Sequence, residues 1–395
     1  KIASFTSITA SNFGDLRGGE NQNPFYDGEY GVRPAYVETF NGVDSLVKND
    51  DRYLQVQSAY QQLDIIQKFL YKQNERTTHG LNVQLSTTSD IPRYDRLTDP
   101  DGTGLRNAEW YYGPADRFMV AYDFNQKRET GFFRRIHAGI NMQSVEESRH
   151  QRRFGRTGLQ HRIENVNVLG ANIDLQHIAT RHVVNFGMDA QLQSLISTAE
   201  EENIETGETE PLDTRYPDGD NSMMNIAVYF SHQWRINDHL TLTDGARIGI
   251  SSLKSTFEDT TFFKLPYREV NQNNTVYSGS IGFIHIPNDD LKFTAMLSTG
   301  FRVPNVDDLS KVFETAQGAI IVPNEDIEPE KTVTGEIGIT KIYNGKTSWE
   351  NTVYYTSFYD AIVTDVFTYN GQDSILYDGV LSQVLANQNK DKAYI

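Results

Sequence analysis

The sequence predicts an all-β fold, a large antiparallel transmembrane β-barrel. Three observations carry this prediction: apolar and polar residues alternate along candidate strands, several strands exceed ten residues, and very short turns alternate with long polar loops. Alternation with a period of two gives a strand one apolar and one polar face. Short turns at one end and long loops at the other are typical of outer-membrane barrels. A soluble β-sandwich or propeller alternates in the same way, but its strands average about five or six residues.

The candidate strands follow one another in pairs. They are expected at about residues 53–71, 80–88, 118–125, 132–145, 163–177, 183–197, 224–236, 240–252, 276–286, 291–301, 332–342 and 348–358. The short turns carry the Asn, Asp or Gly that tight hairpins favour, apart from the turn Ala-Thr-Arg at 179–181. Long loops are expected at residues 90–114, 146–158 and 200–220. We count about thirteen or fourteen strands in a sheet that closes at neither end, and no linker divides residues 1–395, which form a single domain.

The two faces of the strands differ in chemistry. On the strand at 224–236 the apolar face holds Met224, Ile226, Val228, Phe230, His232, Trp234 and Ile236. The next strand repeats the pattern with Leu240, Leu242, Ala246, Ile248 and Ile250. The opposite faces are small or polar, so the strands are expected to separate two different solvents. Tyr71, Trp234, Trp349 and Phe358 are placed near strand ends, where aromatic girdles meet the membrane interfaces.

Composition excludes several classes of protein. The chain has 36 basic and 53 acidic residues, a net charge of −17, which argues against nucleic acid as a partner. It has no cysteine, so disulfides, thiolate metal sites and cysteine nucleophiles are excluded. The mean hydropathy is −0.54, and no run of 18 apolar residues predicts a membrane-spanning helix. Low hydropathy is compatible with a barrel, because only alternate residues face lipid.

One segment in the last third of the chain carries a pair of sequence boxes. The first box contains Phe301, Arg302, Pro304 and Leu309, and the second contains Pro323, Asn324, Pro329 and Glu330. Pro304 has no N–H for a β-ladder, so it is expected to end the preceding strand. Arg302 has the parity of the polar face, so it is expected to point inward and to pair with a carboxylate there.

These boxes resemble those of TonB-dependent outer-membrane receptors, with Val303 in place of Ala and with Pro and Asn swapped in the second box. The resemblance implies a 22-stranded barrel around an N-terminal plug, and it implies that the plug, the TonB box and the last strands lie outside this chain. It also implies import of a scarce nutrient across the outer membrane of a Gram-negative bacterium. The implied partners are outer-membrane lipid and lipopolysaccharide, TonB acting through the plug, a small-molecule ligand and, as a further option, a surface lipoprotein.

The expected ligand is an iron complex, either a siderophore or haem. The sequence of residues 90–95 and that of residues 109–114, which include Tyr112, resemble sequences of haem or iron-chelate receptors of the Bacteroidetes. Haem receptors of the family carry a His between the boxes, whereas residues 301–330 contain none. Cobalamin and glycans stay open as substrates. A passive porin, or a structural or secretion-associated barrel, is the alternative function.

A charged segment near residue 150 supplies further candidate ligand-binding residues. His150, Arg152 and Arg153 lie in the predicted loop 146–158. Arg302 of the first box is a further candidate ligand-binding residue, and its alternative role is to pair with a plug carboxylate. Arginines could hold ligand carboxylates with two hydrogen bonds each, and His150 could be an axial iron ligand. The alternative is a solvated loop whose arginines pair with its glutamates or with lipopolysaccharide phosphates. We expect no catalytic residues, resident cofactor or metal site, because the sequence lacks nucleophile-elbow, zinc-protease and phosphate-loop motifs.

Overall fold

The structure is a computed structural model. It describes residues 1–21, 25, 31–102, 104–259, 268–310, 313–316, 318–377 and 380–394. No helix in these ranges is long and apolar enough to cross a membrane.

Nearly all of the regular structure is β-strand. The first strands are β1 (Ile2–Phe13), β2 (Leu16–Arg17), β3 (Ala35–Phe40), β4 (Val43–Lys48), β5 (Leu54–Gln55), β6 (Tyr60–Lys72), β7 (Thr77–Thr88), β8 (Ile91–Pro92), β9 (Pro100–Asp101), β10 (Gly104–Leu105), β11 (Asn107–Tyr112), β12 (Asp116–Lys127) and β13 (Arg135–Arg153). The remaining elements are β14 (Gly158–Ile178), β15 (His182–Asn203), β16 (Thr209–Pro211), β17 (Asn221–Arg235), β18 (Leu240–Thr256), β19 (Glu269–Asn288), β20 (Leu291–Arg302), α1 (Val306–Leu309), β21 (Phe313–Ala316), β22 (Ala319–Ile321), β23 (Glu330–Tyr343), β24 (Thr347–Val366), β25 (Ser374–Tyr377) and β26 (Val380–Tyr394).

The long strands form one antiparallel ladder, the wall of the barrel. Its order is β1, β6, β7, β12, β13, β14, β15, β17, β18, β19, β20, β23, β24 and β26. Consecutive wall strands are neighbours, as expected of an up-and-down barrel. Among the described residues no pairing joins β1 to β26, which agrees with the predicted open sheet.

The two ends of the wall differ in their connections. Six connections of two to seven residues, at 73–76, 128–134, 179–181, 236–239, 289–290 and 344–346, join wall strands at one end, which we call the short-turn end. Most connections at the opposite, long-loop end are longer, and several hold the shorter strands and α1, but β13 and β14 are joined there by only four residues, 154–157. The predicted asymmetry between turns and loops is therefore confirmed, except at the predicted loop 146–158, which is only a four-residue turn.

The predicted separation of the two faces is also confirmed. The cross-strand register places Val228, Ile248 and Ile250 together, and each is about half exposed. We call this apolar side the outward face. In a bilayer the backbone polar groups are paired between strands, so the side that contacts lipid must carry apolar side chains. Tyr71, Trp234 and Trp349 lie on it near the short-turn end. Phe358 does not, because its register with Thr332 puts it on the opposite, inward face.

The inward face carries a connected polar network. His137 Nδ1 lies 2.9 Å from Asp174 Oδ2, and its Nε2 lies 3.2 Å from Asp123 Oδ1. Tyr229 donates its hydroxyl hydrogen bond to Asp174, and Arg247 pairs with Asp189 at 2.5 Å. These side chains come from six neighbouring wall strands, so the network ties the wall together from the lumen side.

Several strand boundaries differ from the sequence prediction. The strand predicted at 53–71 starts only at Tyr60, because the amides of Ser58 and Ala59 bond to the Asp15 carboxylate instead of entering the ladder. The predicted loops 146–158 and 200–220 are wrong at their first residues, since β13 continues to Arg153 and β15 to Asn203. The predicted loop 90–114 contains β11, which pairs with the upper part of β13. Cross-strand pairing therefore extends the strands through charged residues that composition alone assigns to loops.

One glycine on the inward face makes room for an aromatic ring. Tyr229 lies opposite Gly187 in the register, and a Cβ at Gly187 would come within 2.1 Å of the tyrosine ring. Gly335 lies on the outward face of β23, where a Cβ would meet nothing within 4 Å.

We expect Gly187→Ala to destabilise the barrel by about 1–3 kcal/mol, since the added methyl must displace Tyr229 from the network. Gly335→Ala is the matched control and should change stability by less than about 0.5 kcal/mol. The measurement is urea unfolding of detergent-purified protein, followed by the gel mobility shift between folded and unfolded barrel. Equal midpoints for the two variants would contradict the packing argument.

Candidate functional site

The first sequence box folds back over the inward face at the long-loop end. Strand β20 ends at Arg302, and buried Pro304 leads into α1. Asn305 caps this helical turn: its side chain accepts from the Asp308 amide at 3.0 Å, and Asp308 accepts from the Asn305 amide at 3.1 Å. Leu309 then packs, fully buried, against Leu253 of the inward face. The box is therefore fixed to the wall by a small apolar core.

Arg302 joins the two boxes. It is the register partner of Glu330 and donates from Nε to that carboxylate, while its Nη1 donates to Asp308 at 2.7 Å. The other Glu330 oxygen accepts from the Ile362 amide at 2.7 Å. Arg302 thus has the predicted inward parity and pairs with carboxylates of the boxes themselves. Pairing with a plug carboxylate stays a prediction.

The second box runs extended beside β26. Buried Asn324 donates to the Asn387 carbonyl at 2.8 Å, and its own amide bonds to the Leu309 carbonyl at 3.0 Å. Asn389 holds the Glu328 backbone through two hydrogen bonds of 2.7 and 2.9 Å. Pro323 is buried, and Pro329 directly precedes β23. Phe301 is half-buried and is the penultimate residue of β20. Contacts between the two boxes are therefore made by Arg302, Glu330, Leu309 and Asn324, whereas Phe301 has the parity of the outward face.

A third segment, residues 212–220, crosses the inward face and reaches the first box. We call it the strap. Arg162 of β14 pairs with Asp213 at 3.1 Å. At the other side, the Tyr216 hydroxyl donates to Asp307 of α1 at 2.9 Å, and Arg215 lies 3.4 Å from the same carboxylate. These contacts connect β14 to α1 across the intervening strands.

A buried carboxyl group lies near the strap. Glu164 on the inward face of β14 is 6% exposed, and its Oε1 has no hydrogen-bond partner among the described residues. It lies opposite Glu147 in the register, beyond the membrane-spanning part of β14, where Asn165 and Asn167 replace apolar residues on the outward face. Burial, and then repulsion by Glu147, raises the pKa of Glu164 to about 7. Glu164 is not among the site residues predicted from the sequence.

The predicted ligand residues of the segment around residue 150 lie on two faces of β13. His150 and Arg152 share the outward-face parity, whereas Arg153 and, on β11, Tyr112 share the inward-face parity. The structure therefore does not bring these four residues together in one loop, because the segment is a strand and alternate side chains leave it in opposite directions.

Arg152 is almost fully buried, and every one of its N–H groups is used within the chain. Its Nε donates to Glu109 at 2.7 Å, and its two terminal nitrogens donate to both Asp44 oxygens at 2.9 Å. The remaining N–H groups donate to Thr39 at 2.9 Å and to the Arg156 carbonyl at 2.8 Å. Arg152 therefore fastens the β3–β4 hairpin to the end of β13.

His150 is also enclosed. Its ring stacks on Tyr111 with centroids 4.6 Å apart, and its Nδ1 lies 2.6 Å from Nδ1 of His161. Burial, and then the neighbouring His161, lowers the pKa of His150 to about 4, so the ring is neutral at pH 7. Its predicted role as an axial iron ligand stays a prediction.

The inward side of the same region holds a group of arginines and aromatic rings, which we call the arginine–aromatic cluster. The Arg93 guanidinium lies 4.9 Å from the ring centre of Trp110 and 5.1 Å from that of Tyr112, and Arg149 lies 5.6 Å from the Tyr112 ring. Arg93 also pairs with Asp95 through two hydrogen bonds. Of this cluster, only Tyr112 is predicted from the sequence as a ligand-binding residue. Arg93 and Trp110 lie in the segments 90–95 and 109–114 that carry the family resemblance, and Arg149 lies in the predicted loop 146–158.

We expect Arg152→Gln to release the β3–β4 hairpin, because it leaves the 1%-exposed Asp44 side chain without its cation, a loss of about 3–5 kcal/mol for a buried pair. Hydrogen exchange of residues 35–48 measures the effect. Arg153→Gln, at the exposed neighbouring position, is the control. Unchanged exchange in Arg152→Gln would show that the ion pair does not hold the hairpin.

We expect the strap to loosen as pH rises from 5 to 8. A folded-state pKa raised above the unfolded value favours the folded state while Glu164 is protonated, and this contribution is lost as pH rises through about 7. Hydrogen exchange of residues 212–220 against pH measures it. Glu164→Gln should remove the dependence, and a dependence that persists in this variant would assign it to another group.

The comparisons with known proteins agree on the family. The family model for the TonB-dependent receptor-like β-barrel matches residues 6–395. No curated protein matches the chain. Among solved structures, the copper transporter OprC is 14% identical with a TM-score of 0.65, covering 85% of this chain and 49% of OprC. The FrpB iron transporter from Neisseria meningitidis (F3-3 variant) is 15% identical with a TM-score of 0.64, covering 100% of this chain and 54% of FrpB.

A double mutant of the Serratia marcescens hemophore receptor HasR, in complex with its hemophore HasA and heme, is 11% identical with a TM-score of 0.62, covering 85% of this chain and 51% of HasR. At such identities the likeness to these structures shows the fold alone. The chain spans about half the length of each of them. The family match covers nearly the whole chain, and the family consists of transporters rather than enzymes. The chain therefore belongs to the TonB-dependent receptor β-barrels of the Gram-negative outer membrane.

Proposed function

We propose that the protein imports an iron complex across the outer membrane, with energy supplied through TonB. The arginine–aromatic cluster is the observation that carries the choice of ligand. It lies on the inward face at the long-loop end, which in an outer-membrane barrel is extracellular, so an incoming ligand would meet it at the mouth.

The cluster suits an anionic chelate with flat rings or carboxylates. A guanidinium can bind a carboxylate with two parallel hydrogen bonds, and Trp110 and Tyr112 offer flat faces for stacking. Arg117, also on the inward face, extends the basic surface downward, where its Nη2 donates to Gln143 at 3.0 Å. Since the chain as a whole has a net charge of −17, a local group of inward arginines favours an anion over a cation as the ligand.

The solved relatives support a metal complex as the class of substrate. FrpB is an iron transporter, and HasR was solved with heme, whereas OprC transports copper. Between a siderophore and haem, the boxes favour the siderophore, because residues 301–330 contain no His. TonB, a plug, outer-membrane lipid, lipopolysaccharide and a surface lipoprotein are proposed partners on the strength of the family resemblance.

The test is uptake of iron-55 by iron-starved cells that carry or lack the gene for the full-length protein. The cells are supplied in turn with ferric catecholate, ferric hydroxamate, ferric citrate and haem. We expect gene-dependent uptake of at least one anionic chelate, abolished when the proton-motive force is collapsed. Uptake that survives the collapse would indicate a passive porin, and no gene-dependent uptake of any iron source would overturn the iron assignment and leave copper, cobalamin or glycans.

The double variant Arg93→Gln/Arg149→Gln tests the site. We expect ferric-chelate binding to weaken by about ten- to a hundredfold, since hydrogen bonds between charged groups contribute about 1.5–3 kcal/mol. Arg156→Gln, an exposed arginine outside the cluster, is the control for loss of charge. Equal binding by the double variant and the control would show that the ligand binds elsewhere on the lumen wall.

A further inference from the structure

Three buried oxygen atoms near the strap have no hydrogen-bond partner among the described residues. They are Glu164 Oε1, Ser197 Oγ and Asn221 Oδ1, and their side chains are 6%, 1% and 2% exposed. Buried polar groups of proteins nearly always have a partner, which is another protein group, a water molecule or an ion. Three such atoms on one side of the wall therefore indicate that water or an ion binds there.

The register brings these three side chains together on the inward face. Glu164 of β14 lies directly opposite Ser197 of β15, which places their Cβ atoms about 5 Å apart. Asn221 of β17 lies opposite Leu195, two residues before Ser197, so it is the diagonal neighbour of Ser197 at about 7–8 Å. The Glu and Asn side chains are long enough to meet between these positions. We call the three oxygen atoms the oxygen site.

The strap covers the oxygen site on the lumen side. It begins beside Glu164, where Asp213 pairs with Arg162 at 3.1 Å. It returns to the wall at Asn221, which donates to the carbonyl of the fully buried Pro217 at 2.8 Å. The strap therefore crosses the inward face at the level of the three oxygen atoms, and a group bound there is enclosed between the strap and the wall.

The charges around the oxygen site favour a cation over a water molecule. The Asn221 amide nitrogen donates to three backbone carbonyls at 2.8, 3.1 and 3.2 Å, so its Oδ1 is left as an acceptor. Ionised Glu164 also only accepts, and Glu147 lies opposite it as a second negative charge. Arg162, on the same face of β14, directs its guanidinium to the strap. A cation satisfies the acceptors and offsets the facing carboxylates, whereas water satisfies only the acceptors.

The chemistry of the oxygen site suits calcium. Ca²⁺ takes six to eight oxygen ligands from carboxylates, amide carbonyls and water in a flexible geometry, whereas Mg²⁺ requires a near-ideal octahedron. Zinc and copper prefer His and Cys, and the described residues contain no group of three His, Cys, Asp or Glu that could hold a metal ion. The long-loop end is extracellular in an outer-membrane barrel, and extracellular calcium modules bind at about 10⁻⁴–10⁻³ M.

We propose that the oxygen site binds one Ca²⁺ ion through Glu164, Ser197 and Asn221, with water completing the coordination, and that the ion fixes the strap across the inward face. Asn221 connects the ion to the strap, because its amide nitrogen holds the strap backbone. The strap in turn holds α1 through the hydrogen bond between Tyr216 and Asp307. Calcium therefore stabilises the first box in its position over the wall, whichever nutrient the barrel imports.

The test is hydrogen exchange of residues 212–220 in the detergent-purified full-length protein at pH 8. Exchange is compared in EDTA, CaCl₂, MgCl₂ and KCl at equal ionic strength. An ion that binds only the closed strap slows exchange about tenfold at ten times its dissociation constant. We expect this slowing with millimolar Ca²⁺ and much less with Mg²⁺ or K⁺. Without a cation, deprotonation of Glu164 loosens the strap at this pH, so the expected effect of Ca²⁺ is opposite in sign.

Two variants test the ligands. Glu164→Gln keeps the shape of the side chain but removes its charge, and it should abolish the slowing by Ca²⁺. Ser197→Ala should raise the Ca²⁺ concentration for half-maximal slowing about two- to tenfold, since it removes one neutral oxygen. Ser251→Ala is the matched control and should leave that concentration unchanged. Ser251 is equally buried and its Oγ also has no partner among the described residues, but it lies opposite Asn225, about 13 Å along β17 from Asn221.

Heat-dependent gel mobility verifies that all three variants are folded. Equal exchange of the parent in CaCl₂ and in EDTA would overturn the proposal and assign the buried oxygen atoms to water. Equal slowing by KCl would overturn it as well, because the effect would then be charge screening. Slowing by Ca²⁺ that persists in Glu164→Gln, or that weakens equally in Ser197→Ala and Ser251→Ala, would show that calcium does not bind at the oxygen site.

Discussion

The unbroken hydrogen-bond ladder of the wall is the constraint on which the rest of the structure depends. In a bilayer a backbone N–H or C=O without a partner costs several kcal/mol, so each wall strand must pair along its membrane-spanning length. Between β13 and β14 the register runs from Arg135 to Gln151 without a shift. A slip of one residue would exchange the faces and place His137 and Asp174 in lipid. The register therefore fixes both the apolar outward face and the polar network inside.

The same register continues past the membrane, so the side chains of one strand make different kinds of contact along its length. Near the short-turn end of β13, Ile140 and Met142 face lipid while His137 faces the lumen. Further along, Arg152 holds the β3–β4 hairpin on one side, and Arg149 lies against Tyr112 on the other. Within the membrane, the alternation of side chains separates lipid from lumen. Above the membrane, the same alternation separates structural anchoring from the proposed ligand contact.

The sequence boxes have a physical role within this chain. Arg302 pairs with Glu330 of the second box and with Asp308 of the first, and buried Leu309 packs against the wall beside them. The strap then reaches Asp307 from β14. The long-loop end is consequently built from segments that fold back onto the inward face and are fixed there by ion pairs and a small apolar core.

The sequence by itself determined the fold class, the short turns and the two faces of the wall, because a period of two and the chemistry of tight turns are local properties. It also determined the family, through the residues from Phe301 to Glu330. Only the tertiary structure decided where the strands end and which charged residues meet. Composition assigns His150 and Arg152 to a solvated loop, but pairing with β11 and β14 extends β13 through them, since a ladder once started continues wherever a neighbour supplies partners. The partners of Arg152 lie 43 and 108 residues away, and the repulsion at Glu164 comes from Glu147 across the register. Contacts at such separations depend on register and loop path, which no local pattern encodes.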